Sequence, residues 1–420
     1  MVALAQGQGL SLRANMAWNA VGSIGRLACN YLITIAVVRL SHGFDAAGAL
    51  ALAMAISNLV TPFADFRLRT IQVTDVDGER TAGAYVGLRL CTTVLALVIG
   101  LGYALATSGT RALSVILLYL LYSLAATLIE VLHAVLQRHR RMDVIGRSYL
   151  MQGVSTLVVF CAALWWTNSL DLAVGLMAVA TAAVGLVYAL PRAARFERLR
   201  PELDLRGVAR ILGTLLPLVL AQVCSSSVLT IPRQYLAATA GAAALGIYAS
   251  VASPAVIVQM GAAYVYSPLM TEFAERFRSD KRSALHLLRR TTLGIIGVTS
   301  VFSVLLLLLG KPILFLMYGA EITRYTYLLL PAVLCTFTTA FAWFMNDLLL
   351  ALRDFKASFL GNVAATVVTL LCYRFMVDTF GMNGVSWGGV VSYAVAVIVL
   401  ALFLVVDYRR LETSPRPGAA

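Results

Sequence analysis

Apolar segments of about 20 residues alternate with short polar connections along the whole chain. A helix needs about 20 mostly apolar residues to cross the hydrocarbon core of a bilayer. The first six segments are 16–38, 46–64, 84–106, 112–135, 148–166 and 171–190. The second six are 211–236, 244–269, 291–309, 325–350, 358–377 and 384–406. This pattern predicts an all-α polytopic membrane protein with twelve transmembrane helices.

The basic residues in the connections favour one side of the membrane. The basic connections are 67–80, 138–147, 192–210, 276–290 and 353–356, together with the C-terminal tail. The opposite connections hold little beyond Arg39, Arg111, Lys311 and Arg324. Because short cytoplasmic loops are enriched in lysine and arginine, we expect both termini to lie in the cytoplasm.

A basic stretch separates the first six segments from the second six. The predicted parts are an N-terminal six-helix lobe 1–190, a cytoplasmic linker 191–210, a C-terminal six-helix lobe 211–406 and a cytoplasmic tail 407–420. Since six is an even number, both lobes start from the same side, which suits a parallel repeat about an axis along the membrane normal. The proline-containing segments 61–66 and 267–273 are similar, and chance similarity is the alternative explanation.

One charge lies inside the first predicted span. Arg26 is near the middle of this span, where a charged side chain costs about 2.5–3.5 kcal/mol on the most lenient scale. At ~100° per residue, one face of the helix collects this arginine and its polar neighbours. These neighbours are Asn15, Asn19, Ser23, Asn30 and Thr34. Such a face does not meet lipid, so it either lines a cavity or has an internal carboxylate or carbonyl partner.

Further cations occur in other spans. Gln222, Ser226 and Arg233 project from one face of the seventh span. If the halves are related by symmetry, we expect Arg233 to face Arg26, and extension toward the membrane surface is the alternative. Arg89 enters the third span from the cytoplasmic side. It either collects an anionic headgroup or extends to the interface.

Acidic candidates are fewer. Glu130 and His133 lie one helical turn apart in the fourth span, and Asp347 lies low in the tenth. Bundle metal sites need further carboxylates and a second Glu-x-x-His pair, so we expect no metal. Because acidic residues inside transmembrane segments often belong to ion pathways, Glu130 and Asp347 are candidates for coupling transport to protons or sodium ions. The alternative is an internal ion pair with Arg89 or Arg138.

The composition excludes several function classes. Of 420 residues, 60% are apolar and 13% are charged, whereas soluble proteins are about 45–50% apolar and about 25% charged. The net charge of +13 indicates either contact with anionic membrane lipids or the loop bias that orients membrane proteins. We do not expect nucleic-acid binding, because the basic residues sit in short loops between spans. The six cysteines lack metal spacing. No phosphate loop, cofactor motif or catalytic cluster occurs, so we expect no direct coupling to ATP and no cofactor.

Several short stretches carry a resemblance to a known family. They are Asp75 with Gly78, Tyr85 with Leu88-Arg89, 244–248 (Ala-Leu-Gly-Ile-Tyr), Tyr318-Gly319 with Glu321, and 381–384 (Gly-Met-Asn-Gly). Together they resemble the bacterial lipopolysaccharide and polysaccharide flippases of the Wzx type. That family belongs to the superfamily of multidrug, oligosaccharidyl-lipid and polysaccharide exporters. Many relatives place an acidic residue beside the arginine of the seventh span, where this chain has Pro232, which puts ion coupling there in doubt.

The resemblance implies two six-helix lobes around a central cavity and transport by alternating access in the bacterial inner membrane. The cargo implied is a polyprenyl-diphosphate-linked oligosaccharide, with a glycan polymerase or ligase as a candidate partner. Guanidinium groups suit diphosphates because they form bidentate charge-assisted bonds. On this hypothesis Arg26 binds the diphosphate, Arg233 and Arg89 assist it, and the neighbouring polar residues bind the sugar.

Two other functions compete with this hypothesis. A multidrug exporter of the same superfamily is the first, although cationic drugs call for carboxylates and the deep charge here is positive. A membrane-embedded glycan-modifying enzyme is the second, but it needs a large outer loop or clustered catalytic residues. Twelve spans instead of fourteen make the peptidoglycan-precursor branch of the flippases a poorer match.

Overall fold

The chain folds into helices connected by short turns. The computed structural model describes residues 11–41, 43–75, 80–107, 110–203, 205–279 and 281–413, and these contain no β-strand. The chain divides into two compact units, Met1–Leu216 and Pro217–Ala420. Gly78 and the tail residues 414–420, which entered the predictions above, lie outside the described residues.

The described part of the first unit contains eight complete α-helices. They are α1 (Leu12–Leu40), α2 (Asp45–Asp65), α3 (Leu68–Thr74), α4 (Ala82–Thr107), α5 (Thr110–Arg138), α6 (Met142–Thr167), α7 (Leu170–Ala183) and α8 (Leu190–Ala193). A π-helix, Val184–Ala189, connects α7 to α8. The buried core joins α1, α2, α4, α5, α6 and α7 through side chains such as Leu50, Ile116 and Phe160.

The second unit begins at Pro217, within a long helix that starts at Leu205. The helices are α9 (Leu205–Ala252), α10 (Val256–Tyr266), α11 (Met270–Ser279), α12 (Lys281–Tyr318), α13 (Leu329–Ala351), α14 (Phe355–Phe380) and α15 (Asn383–Thr413). A 3-10 helix, Glu321–Leu328, precedes α13. One core cluster packs Phe273, Phe344 and Leu348, and another packs Val228 with Tyr393.

Within the described residues, eleven segments are long and apolar enough to cross a membrane. One of them, Gly207–Phe277, has 71 residues and contains both the seventh and the eighth predicted spans. Gly241 divides it, because its φ of 87° and ψ of 168° are not helical and suit glycine almost alone. The protein is therefore a multi-pass membrane protein, and the twelve-span prediction is approximately confirmed.

The boundaries differ from the prediction where helices extend into polar sequence. The predicted linker 191–210 is partly helical, since α8 ends at Ala193 and α9 begins at Leu205. Glu202, between them, is fixed on the start of α4: its N–H donates to the Gly83 carbonyl at 3.1 Å, and its carboxylate accepts from the Thr81 hydroxyl at 2.7 Å. Much of this stretch is thus part of the folded first unit.

Helices α1 and α6 pack unusually closely at three glycines. A Cβ added to Gly22 would lie 2.5 Å from the Cα of Gly146, and one added to Gly146 would strike the carbonyl oxygen of Trp18. Further along, a Cβ on Gly153 would lie 3.0 Å from the Cα of Arg26. Small residues let membrane helices approach each other in this way. This contact places the polar face of α1 beside α6.

Candidate functional site

A polar cluster occupies the interior of the first unit where α1, α3, α5 and α6 meet. We call it the Glu130 cluster, and its members are Arg26, Arg69, Glu130, His133 and Tyr149. Arg69 and Tyr149 both contact Glu130, so charged and polar side chains from three helices meet inside the unit. Intramembrane ionisable groups gathered in this way are the usual mark of a functional site.

Glu130 is the centre of this cluster. Its carboxylate accepts a short hydrogen bond from Arg69 and another from the Tyr149 hydroxyl at 3.0 Å. Arg69 also donates to the Tyr149 hydroxyl at 2.6 Å and to Gln137 at 2.8 Å. The Nδ1 of His133 lies 3.8 Å from Glu130. The expected internal ion pair of Glu130 therefore exists, but its main partner is Arg69 and not Arg89 or Arg138.

Arg26 lies at the edge of the Glu130 cluster. Its guanidinium stacks on the ring of Tyr149, 4.2 Å from the centroid, and a terminal nitrogen lies 3.8 Å from Glu130. That distance is too long for a direct hydrogen bond, and the side chain is 31% exposed. Two guanidiniums thus share one carboxylate, so the three charges sum to +1 and Arg26 keeps an accessible face.

The other polar residues of α1 divide between structure and open surface. Asn15 is buried and accepts from the backbone N–H of Met142 at 3.0 Å, which fixes the start of α6. Asn30 accepts from the Tyr122 hydroxyl at 3.3 Å. Asn19 is partly buried and Ser23 is exposed. The polar face therefore continues on both sides of Arg26.

Arg89 has a structural environment that differs from both sequence-based interpretations. Its side chain is 0% exposed and donates to the carbonyl oxygens of Ala64 at 2.7 Å and Asp65 at 3.0 Å. The Asp65 carboxylate lies 3.4 Å away. Arg89 therefore caps the C-terminal end of α2, where helix carbonyls lack partners. It neither extends to the interface nor has a face open to a headgroup.

In the second unit, Arg233 and Gln222 lie on α9. Gln222 is exposed and Arg233 is partly buried, with its guanidinium 6.0 Å from the centroid of the Tyr248 ring. Among the described residues, the Nε of Arg233 is buried without a hydrogen-bond partner, and no carboxylate lies within ion-pair distance of it. Arg233 is therefore a partly buried cation without a carboxylate partner among the described residues.

Asp347 lies on α13 in the second unit and is partly buried. It accepts from the hydroxyl of Tyr266 at 3.1 Å. Within the part of the chain that the structure describes, no group of three or more His, Cys, Asp or Glu side chains could hold a metal ion. The neighbouring Asn346 bonds Ser358 at 2.6 Å and Asn362 at 2.9 Å, so Asp347 borders a local polar network.

Sequence reasoning missed Arg69 as a member of the site. It was counted among the basic residues of a cytoplasmic connection, because it follows the apolar segment 46–64. The chain turns between α2 and α3 at Phe66 and Arg67, which both have left-handed backbone with φ of 42° and 51°. This turn brings α3 back against α5, so Arg69 reaches Glu130. Left-handed backbone at bulky residues leaves no clear signal in a sequence.

No protein-family model matches the chain. Among curated proteins, the chain is similar to the capsular polysaccharide biosynthesis protein CapF of Staphylococcus aureus. The two are 22% identical over 317 residues, which cover 73% of this chain and 77% of CapF.

Solved structures of transporters share the fold. An inward-facing multidrug-resistance transporter of the MATE family, within the MOP superfamily, aligns with a TM-score of 0.67 at 15% identity, covering 94% of this chain and 99% of the other. The lipid II flippase MurJ, in an inward closed conformation, aligns with a TM-score of 0.67 at 10% identity, covering 94% of this chain and 90% of MurJ. This multi-pass membrane protein therefore has the fold of the MOP-superfamily transporters.

Proposed function

We propose that the chain is a flippase of the bacterial cytoplasmic membrane. It moves a polyprenyl-diphosphate-linked oligosaccharide from the inner to the outer leaflet by alternating access. The fold supports a transporter, and it is equally similar to a drug exporter and to a lipid flippase, with a TM-score of 0.67 for each. The similarity to a capsular polysaccharide biosynthesis protein favours the lipid-linked glycan.

The observation that carries the proposal is the incompletely compensated positive charge of the Glu130 cluster. Arg26 is 31% exposed and lies 3.8 Å from a carboxylate that Arg69 already engages. A diphosphate carries at least two negative charges and accepts bidentate bonds from guanidinium groups. A cationic drug meets repulsion at the same place. The sign of the charge therefore favours an anionic cargo.

The proposed roles follow from the polar surroundings of each residue. Arg26 binds the diphosphate, and Asn19, Ser23 and Asn30 donate to or accept from sugar hydroxyls. In the second unit, Gln222 and Arg233 contribute a further hydrogen-bonding group and a further cation. The lipid tail stays in the bilayer, which avoids its transfer through polar surroundings. Arg89 takes no part, because its side chain is fully buried and a terminal nitrogen donates to the end of α2.

We further propose that Glu130 couples transport to an ion, with Asp347 as the candidate in the second unit. Protonation of Glu130 becomes favourable when the diphosphate replaces the carboxylate as the partner of Arg26 and Arg69, and it changes the sum of the three charges from +1 to +2. The cluster then attracts an anionic cargo more strongly. Release of the proton restores the ion pair with Arg69 and favours release of the cargo.

The test is export of glycan in a strain that lacks the chromosomal gene. Arg26→Ala is expected to abolish surface glycan and to let the lipid-linked oligosaccharide accumulate in the inner leaflet, while the protein stays in the membrane. Arg26→Lys keeps the charge without the bidentate geometry, so we expect partial export. Immunoblotting of membranes and extraction of the lipid-linked glycan provide the two measurements.

Arg13→Ala is the matched control, because Arg13 lies on the same helix and is exposed. We expect wild-type export from this variant. Unimpaired export in Arg26→Ala would contradict the role of Arg26. Loss of drug resistance in the deletion strain, without accumulation of lipid-linked glycan, would instead favour the multidrug exporter.

A further inference from the structure

A second basic site lies outside the Glu130 cluster, at the arginine-rich end of the first unit. A cavity of about 120 Å³ opens there between the start of α6 and the segment around α8. This volume is well above the about 10–15 Å³ that one water needs. The cavity is lined chiefly by Arg141, Arg147, Arg192, Arg195, Tyr188 and Phe196.

The aromatic side chains position two of these arginines. The π-helix presents Tyr188, and the guanidinium of Arg192 stacks on its ring at 3.7 Å from the centroid. The same guanidinium donates to the carbonyl oxygen of Tyr188 at 2.9 Å. Arg147 lies over the ring of Trp18 at 5.0 Å. Single π-turns are frequent at functional sites, and here one shapes a wall of the cavity.

The charge of this site is positive and largely uncompensated. Arg141 is paired with Asp143 through two hydrogen bonds of 2.9 and 3.0 Å. The nearby Glu197 is directed to other residues, with distances of 3.8 Å to Arg138 and 3.7 Å to His139. Among the described residues, no carboxylate lies within 4.0 Å of the remaining three arginines of the cavity. These are Arg147, Arg192 and Arg195.

The surroundings indicate that the cavity opens at the edge of the membrane. Leu186 and Val187, next to Tyr188 in the π-helix, are 64% and 75% exposed, as expected of side chains that contact acyl chains. The positive-inside rule places the arginine-rich connections on the cytoplasmic side. Tyrosine and tryptophan are enriched at the depth of the headgroups. A lipid can therefore place its phosphate among the arginines and its tail along the apolar side chains.

We propose that this cavity binds the phosphate group of an anionic lipid in the inner leaflet. Basic pockets between transmembrane helices on the cytoplasmic side hold lipid headgroups by this chemistry. The phosphate has two sources, a bilayer phospholipid or a polyprenyl diphosphate that has not yet been transported. The site is separate from the Glu130 cluster, and it does not depend on the proposed function.

The experiment measures lipid binding to the purified full-length protein by native mass spectrometry after delipidation. The probes are phosphatidylglycerol, undecaprenyl diphosphate, zwitterionic phosphatidylcholine and inorganic phosphate. The test variant is Arg147→Gln with Arg195→Gln, which removes two exposed arginines of the cavity. The control variant is Arg198→Gln with Arg200→Gln, which removes the same charge from exposed positions outside the cavity.

We expect an anionic lipid to bind the wild-type protein at least tenfold more tightly than phosphatidylcholine. The cavity variant should lose at least tenfold of that affinity, and the control variant less than twofold. The better-binding anionic lipid identifies the source of the phosphate. Equal losses in the two variants would overturn the proposal, because the effect would then come from total charge. Displacement of the lipid by an equal concentration of inorganic phosphate would also overturn it.

Discussion

Arg89 shows how a charged residue within a membrane helix can serve the fold alone. It is among the largest fully buried side chains in the described part of the chain. Its terminal nitrogen bonds two carbonyl oxygens at the end of α2, and Thr92 bonds one of them, that of Ala64, at 2.9 Å. Buried carbonyl groups without a partner cost about 1–3 kcal/mol each. Arg89 therefore stabilises the turn that directs α3 toward α5.

We expect Arg89→Ala to destabilise the protein by about 2–5 kcal/mol, the range for large-to-small changes at buried positions. Arg89→Met keeps most of the volume and removes the charge, so it should lose only about 1–3 kcal/mol for the Asp65 carbonyl, because Thr92 still bonds the Ala64 carbonyl. Thermal unfolding of the purified variants measures both. If the two variants had equal stability, the volume of the side chain would not matter at this position.

At the scale of residues, the sequence predicts a functional residue when its polar neighbours lie on the same helix. Arg26 was identifiable because its polar neighbours recur on one face of α1, and Asn15 and Asn30 do hold internal partners. The partners of Arg26 and Arg89 were not identifiable. Glu130, the partner of Arg26, and Asp65, the partner of Arg89, lie on other helices. These contacts depend on how the helices pack, which the sequence of one helix does not reveal.

At the scale of elements, the contact between α1 and α6 determines where Arg26 points. The three glycines remove the side chains that would separate the two helices. The close approach puts Tyr149 of α6 under the guanidinium of Arg26. A helix pair held this way has little freedom to adjust, because backbone atoms meet backbone atoms. The geometry of the candidate site thus depends on residues that carry no functional group.

Gly146→Ala should disturb this contact. The added Cβ would strike the carbonyl oxygen of Trp18, which cannot move without its helix, so we expect a loss of about 1–3 kcal/mol from overpacking. Gly102→Ala is the control, because nothing lies within 4 Å of its added Cβ. That control should be neutral or gain about 0.5–1 kcal/mol from helix propensity. A stable Gly146→Ala protein with full export would contradict this account.

The predicted ends of the spans agree best with the helices where an apolar run is followed directly by charged residues or turn-forming residues. In the first half of the chain the predicted span 46–64 matches α2, Asp45–Asp65, whereas the predicted span 148–166 starts six residues later than α6, Met142–Thr167. The π-helix Val184–Ala189 was not foreseen, because its apolar sequence differs in no way from that of an α-helix. Helix α9 begins at Leu205, before the predicted span 211–236, which starts later because the arginines ahead of it suggest a loop. Arginine is a good helix former, so a stretch rich in arginine can be helical although its polarity suggests a loop.

At the scale of the whole molecule, the distribution of arginine predicts the orientation in the membrane. The connection between α5 and α6 and the segment after α8 are rich in arginine, whereas the connection between α6 and α7 has none. Because short loops rich in lysine and arginine lie in the cytoplasm, we expect Arg198 on the cytoplasmic side of the membrane and Asn168 on the opposite side. It also places the second basic site on the cytoplasmic side.

Reporter fusions test this orientation. Alkaline phosphatase joined after Asn168 should be active, because that enzyme folds only outside the cytoplasm, and the same enzyme joined after Arg198 should be inactive. Green fluorescent protein, joined at the same two positions, should give the opposite pattern. Activity of the phosphatase at both positions, or at Arg198 alone, would be incompatible with the predicted topology.

The sharing of Glu130 by two arginines restricts the order in which this sequence can change during evolution. Loss of Glu130 first would leave two neighbouring, partly exposed guanidinium groups with no carboxylate between them, and like charges at short distance repel each other. Loss of Arg69 first leaves Arg26 and Glu130 as a neutral pair. Changes at coupled residues are not additive. Descendants that lack Glu130 should therefore already lack one of the two arginines.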